Sequence, residues 1–226
     1  MVVLLPILTG IICILSFFLL LRDMENWKDT VENDQAKETV NAGIPKAVIV
    51  YSLISIILTV VIAIFFPKLY PENSVWVNVK RMTLLALLWP LAYIDFKTYR
   101  IPNLFVIFGL ICRAIIFVFE LLLGNEVVWI NLLSEVVAAV ALLVASLLCV
   151  LVIKNGIGFG DMKLFIVMGL MLGLEGIWGA IFVALLVSFF IAAFLLISKK
   201  KTRKDAIPFG PAIVIGTYLS VFLSRM

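Results

Sequence analysis

The chain has 226 residues, of which 64% are hydrophobic and 14% charged, and its net charge is +4. A soluble domain carries about 45–50% apolar and about 25% charged residues, so this composition excludes a soluble globule and indicates one integral membrane domain, residues 1–226. The complete lack of histidine excludes Ser-His and Cys-His catalysis, the H-E-x-x-H zinc motif and histidine proton relays.

In chain order, Val2–Leu21 is the first apolar run. It has no basic flank and no small-residue cleavage site, and it is too long for a signal-peptide core, so it is expected to be a retained helix. Arg22–Lys46 carries four basic and six acidic residues and reads as a solvated loop, partly helical at most. Ala47–Phe66 is the second span, and Pro67–Asn78 a turn-rich connection. Lys80–Asp95 is the third, with a kink expected at Pro90. A short polar loop, Phe96–Asn103, leads to span four, Leu104–Leu123. After the loop Gly124–Asn131 comes span five, Leu132–Ile153.

A glycine-rich stretch, N-G-I-G-F-G-D-M-K-L from Asn155 to Leu164, precedes an unusually short sixth span, Asp161–Leu174. Gly176–Ile197 is span seven, Lys199–Asp205 a basic loop and Ile207–Leu223 span eight. The fold class expected is an all-α polytopic helix bundle of about eight spans. If spans six and seven instead pair as a re-entrant hairpin, the count changes within six to eight. The lipid bilayer is the first partner implied.

Arginine and lysine bias sets the orientation. With eight spans, thirteen of the 18 basic residues fall on one side, against Lys68, Lys80, Arg81 and Arg225 on the other, with Arg113 inside span four. That split places both termini outside and puts Asp95 and Asp161 at the cytoplasmic face. The loop 22–46 and the basic run Lys199–Lys204 lie on the same side. This distribution follows membrane edges and is no nucleic-acid signal. Cys13, Cys112 and Cys149 sit singly in apolar runs, so neither a metal site nor a disulfide framework is expected.

Two aspartates at one depth, 66 positions apart, suggest acid–base chemistry. Asp95 at a helix C-terminus faces a dipole that disfavours negative charge, whereas Asp161 at a helix start faces one that favours it. If they meet, one carboxyl ionises and the other holds a proton, the arrangement by which paired carboxyls activate water. Gly156, Gly158 and Gly160 permit close backbone approach, and irregular backbone at membrane depth marks a cavity. The active-site loop is thus read as Gly158, Gly160 and Lys163. Plainer readings exist. Asp161 serves equally as a helix N-cap, and Asp95 as an interfacial carboxylate paired with Lys97 or Arg100. Lys163 serves as a topological anchor and Pro102–Asn103 as the turn opening span four. Glu120, Glu135 and Glu175 read as loop-end residues near the opposite face.

Three segments resemble one family. Y-I-D-F-K-T-Y-R-I-P-N, from Tyr93 to Asn103, looks like the first-aspartate segment of the type IV prepilin leader peptidases. G-F-G-D-M-K at Gly158–Lys163 is similar to their G-x-G-D segment, and I-P-F-G-P-A at Ile207–Ala212 to the segment opening their last helix. The resemblance spans residues 80–223, the expected peptidase core. It implies an intramembrane aspartic endopeptidase of the cytoplasmic membrane, with Asp95 and Asp161 as its catalytic pair. Its substrate partner would be a prepilin or pseudopilin precursor, cut behind a short basic leader on the cytoplasmic side, with no cofactor. Bacterial members often also N-methylate the product and carry a cysteine-rich loop after span one. Arg22–Lys46 has no cysteine, which counts against zinc there and against the methyltransferase. The alternative is a proton- or cation-coupled small transporter. It predicts an inverted repeat with a second glycine break in the partner half, and the sequence shows none. A Ser-Lys hydrolase would have only the adjacent pair Ser198–Lys199, which sits in a basic surface run.

Overall fold

The computed structural model describes residues 4–32, 46–123, 128–152, 158–199 and 207–223. Among these residues every regular element is an α-helix: α1 Leu4–Glu32, α2 Lys46–Leu69, α3 Val75–Thr98, α4 Asn103–Leu123, α5 Val128–Val152, α6 Phe159–Ile197 and α7 Gly210–Leu223. Five helices (α1, α2, α4, α5 and α6) are long and apolar enough to cross a bilayer. The protein is a multi-pass membrane helix bundle. Gly156, most of the 22–46 loop, residues 124–127 of the loop before α5 and most of the basic Lys199–Asp205 loop lie outside the described residues.

Several boundaries move. The first helix runs on through the polar sequence to Glu32, so part of the expected loop is helix. α3 starts at Val75 and ends at Thr98, with Tyr99 as a left-handed cap, which places Asp95 in its last turn rather than at its end. α5 begins four residues earlier than expected.

The expected sixth and seventh spans are one assigned helix, α6, of 39 residues. At 1.5 Å per residue a straight helix of that length would reach about 58 Å, nearly twice the hydrocarbon core. It is not straight. Gly173 has φ 65° and ψ −178°, angles that a side chain disfavours and that turn the next peptide out of the helical path. The arm before Gly173 packs antiparallel on α5, with Gly169 against Ala138 and Ala139 and Gly173 against Ser134 and Glu135. The arm after it returns along α7, with Gly179 against Ser220 and Ala184 against Gly216. Leu185 and Ser188 of the second arm line the same cavity as Asp161 of the first, which only a fold-back allows. The two segments thus lie antiparallel about Gly173, as the short sixth span and the seventh were expected to do.

α3 is the hub. It packs on α1, α2, α4, α6 and α7, and its residues are buried from Asn78 almost continuously to Asp95. The outer helices instead turn Ile57, Phe182 and Phe189 outward, each more than 60% exposed, as lipid-facing surface requires. α3 keeps helical geometry through Pro90. Proline supplies no N–H, which in a continuous helix leaves the Ala86 carbonyl without its donor. The Ser16 hydroxyl of α1 lies 3.2 Å from that carbonyl and 2.9 Å from the Cys13 carbonyl of its own helix, so its one proton is shared between the two. Tyr51 of α2 donates to the Trp89 carbonyl at 2.9 Å, and the Trp89 indole bonds the Tyr218 hydroxyl of α7.

The charges at the end opposite Asp95 are not loop charges. Lys80, Arg113, Glu120 and Glu135, from α3, α4, α4 and α5, are all buried. Lys80 meets Glu120 at 3.0 Å and also pairs with Glu135, while Arg113 meets Glu120 at 3.1 Å and binds Glu135 through two nitrogens. Reading Glu120 and Glu135 as loop ends fails because each has cationic partners on other helices. The two plus and two minus charges cancel, which is what permits them inside a bundle.

With no water in the hydrocarbon to drive helix association, close packing at small residues has to hold the helices. At Gly216 an added Cβ would fall 2.4 Å from the Ala184 nitrogen. Gly216→Val is accordingly expected to lower stability by about 1–3 kcal/mol, the usual range for overpacking. Gly10→Val in α1, where the nearest atom lies 3.8 Å away, should cost much less. Reversible unfolding in detergent checks the difference, and equal losses would contradict the packing described.

Candidate active site

Both sequence-selected aspartates line one cavity of about 670 Å³, bounded by α3, α5, both arms of α6 and the residues entering α7. The two carboxylates interact electrostatically across it. Apolar walls come from Phe165, Trp178, Ile181, Leu185 and Phe209, while Ser146 and Ser188 supply hydroxyls.

Asp95 is 6% exposed and points inward. It makes no ion pair with Lys97 or Arg100 among the described residues. Its Oδ2 accepts the Gly210 N–H at 2.6 Å, and the Phe209 N–H bonds the same carboxylate. The Phe209 carbonyl accepts the Ile213 N–H, so Phe209 and Gly210 are the start of α7. The first N–H groups of a helix have no partner within it. Asp95 therefore caps α7 from another helix. The expectation that Asp95 sees only a helix C-terminus needs correcting, because the N-terminus of α7 faces it at hydrogen-bond distance. The contrast between the two aspartates drawn from helix ends is reduced by that much.

Asp161 sits three residues inside α6, and its N-cap is Gly158. The Asp161 carboxylate accepts the Gly158 backbone N–H, the reach-back of a third-position carboxylate onto the cap. The helix-start reading thus holds in a modified form, and the same side chain also faces the cavity.

The glycines act through closeness. A Cβ on Gly160 would lie 2.9 Å from Cβ of Ile101, so only glycine lets the start of α6 settle on the α3–α4 turn. Gly158 lines the cavity beside Asp161. Lys163 is not brought to the cavity: it is exposed and donates to Asn103 Oδ1 at 2.8 Å, tying the first turn of α6 to that of α4.

Two residues at the site escaped the sequence reading, one behind Asp95 and one in the cavity wall. Gly210 donates to Asp95, and an added Cβ there would meet Cβ and Oδ2 of Asp95, both at 2.9 Å. The I-P-F-G-P-A segment signalled it without assigning a role. Tyr99 lines the cavity from a left-handed backbone, φ 53°, a conformation costly for a non-glycine residue that nothing in its type announces.

A profile of the Type IV leader peptidase family matches residues 82–197, just over half of the chain. The chain is 33% identical to a prepilin leader peptidase/N-methyltransferase of Bacillus subtilis over 66 residues, 29% of this chain and 27% of the relative. It is 36% identical to a protein of the same name from Xanthomonas campestris pv. campestris over 69 residues, 30% of this chain and 24% of the relative. The chain thus spans about a quarter of the length of the curated relatives it matches. No solved structure matches it.

The three cysteines report on the cavity. Cys149 lines it, Cys13 is buried in the bundle and Cys112 is half-buried on α4. A small charged thiol reagent is expected to modify Cys149 first, and Ser188→Trp on the facing wall should slow that reaction. Faster labelling of Cys112, with peptide mapping to locate the adduct, would show the cavity to be closed to water.

Proposed function

This chain belongs to the type IV leader peptidase family, and we propose that it is an intramembrane aspartic endopeptidase. Its substrates would be type IV prepilin-like precursors, cut behind their short basic leader. One observation carries the reading: Asp95 and Asp161, remote in sequence, line the same cavity.

The mechanism follows from carboxyl chemistry. One aspartate, ionised, takes a proton from a water held between the pair, and the water oxygen attacks the scissile carbonyl carbon. The other, protonated, donates a hydrogen bond to the carbonyl oxygen and stabilises the tetrahedral intermediate. The C–N bond then breaks as the amine nitrogen takes up a proton from the pair, which returns the two carboxyls to one shared proton. The chain's own backbone aims both groups: Gly210 N–H fixes Asp95, and Gly158 N–H fixes Asp161. Apolar side chains around them suit an apolar stretch of substrate. We assign the peptidase core to residues 80–223 and the catalytic roles to Asp95 and Asp161. Gly158 and Gly160 shape the loop, and Lys163 braces it through Asn103. The arginine and lysine bias supports a cytoplasmic-membrane location with the site toward the cytoplasm, the side on which a basic leader remains.

Asp95→Asn and Asp161→Asn are each expected to abolish cleavage of a precursor peptide while the protein still inserts. Asp→Glu at either position should be severely impaired, because the longer side chain displaces the water. Lys163→Ala, away from the cavity, should retain most activity. Mass spectrometry of the products gives the cut site, and with S-adenosylmethionine present no added methyl is expected. Near wild-type cleavage by either Asn variant would end the aspartic reading.

Gly210→Ala should lower kcat by on the order of 10- to 100-fold, since its Cβ must displace the Asp95 carboxylate and small misplacements of a reacting group are costly. Unchanged kcat in steady-state assays would show that Asp95 does not act from this position.

A further inference from the structure

The fold-back of α6 has a consequence for backbone hydrogen bonding. In an unbroken helix the Leu174 N–H would bond the Leu170 carbonyl. The reversed peptide at Gly173 takes that N–H off the ladder, and in a bundle core an unpartnered backbone group costs several kcal/mol. Two of the groups freed at the turn have found side chains. The Leu174 N–H donates to Ser134 Oγ of α5 at 3.2 Å, and Arg113 Nε of α4 donates to the Leu170 carbonyl at 3.0 Å. Arg113 is in turn held by Glu135, the residue beside Ser134, and by Glu120, which Lys80 of α3 also binds. The buried charge cluster is therefore fastened to the turn itself.

We propose that Arg113 and Ser134 are positioning residues for Asp161. By taking up two of the backbone groups released at Gly173, they fix where α6 folds back and so set the depth and aim of the arm that carries Asp161 at its other end. This role rests on the peptidase reading above. The first arm is a rigid helix of about three and a half turns between the two points. Gly169 is wedged against the α5 backbone, so a shift at the turn is not absorbed on the way. A displacement near Leu170 reaches Asp161 as a displacement of its carboxyl relative to Asp95.

The test uses the full chain in vesicles with a precursor peptide bearing a basic leader. Ser134→Ala removes one partner of the turn. Arg113→Lys keeps the charge opposite Glu120 and Glu135 but loses the Nε donor. Each is expected to lower kcat by on the order of tenfold with KM changed by less than about twofold, the signature of a misaimed reacting group rather than lost binding. Ser134→Thr, which keeps the hydroxyl, should hold kcat near the parent value. Hydrogen exchange over residues 168–178 should quicken in Ser134→Ala and Arg113→Lys but not in Ser134→Thr. Asp161→Asn is run alongside. If it is inactive while Ser134→Ala and Arg113→Lys both keep the parent kcat, the positioning role is overturned and the peptidase reading stands. A fall in kcat without faster exchange at the turn also overturns it, because the effect then travels by another route. If Asp161→Asn cleaves normally, the aspartic reading fails and this role fails with it.

Discussion

In hydrocarbon a backbone N–H or C=O that leaves the helical ladder has no water to receive it. Most of this structure can be read as a response to that constraint. At Pro90 the helix has no donor for Ala86, and Ser16 offers one that it shares with the Cys13 carbonyl. At Gly173 the chain turns back within α6, and Arg113 and Ser134 take up two of the groups released. At the start of α7 the first amides point inward, and Asp95 accepts them. In each case the irregularity lies on one helix and the side chain that answers it on another. Local departures from helix thus become specific interhelical contacts.

These contacts matter more here than in a water-soluble bundle, because lipid tails give apolar helices little reason to associate. Small residues bring the backbones close at Gly169 and Gly216, and the polar contacts then set the register. The cluster of Lys80, Arg113, Glu120 and Glu135 at the far end has the same effect. A lone buried charge would be prohibitive, but two cations alternating with two anions on three helices hold those helices at a fixed separation.

Much of the layout was legible in the sequence. The apolar runs, the two aspartates and the glycine stretch before Asp161 are local patterns, and the bundle places Asp95 and Asp161 where alternate crossings would bring them. The charge cluster was not legible. Glu120 and Glu135 stand near run ends, where charges ordinarily mark loops, and only the packing of α3 against α4 and α5 reveals their partners. The central place of α3 was hidden for a related reason. Its lysine, arginine and aspartate lower its hydropathy, yet it is the most enclosed helix because those groups are satisfied inside. The turn at Gly173 was half visible. A short sixth span ending among Gly169, Gly173 and Gly176 signalled a break, but the sharpness of the reversal depends on Ser134 and Arg113, 39 and 60 positions earlier.

The cavity shows how closely assembly and chemistry are joined. Asp95 holds the first amides of α7, and Asp161 reaches back to the amide that opens its own helix. Neither carboxylate hangs free from its backbone. Asp95 is held by the N–H groups of Phe209 and Gly210 and Asp161 by that of Gly158, donors whose positions helix packing sets, while both side chains still line the cavity. A pair of flexible acidic side chains would have to lose rotamer freedom on meeting a substrate. On the proposed peptidase reading, that freedom is already lost when α7 docks on α3 and when α6 starts at Gly158, so the two groups would be aimed before a substrate binds. The cost is that the site exists only in the assembled bundle, since the residues that aim Asp95 lie more than a hundred positions beyond it in the chain.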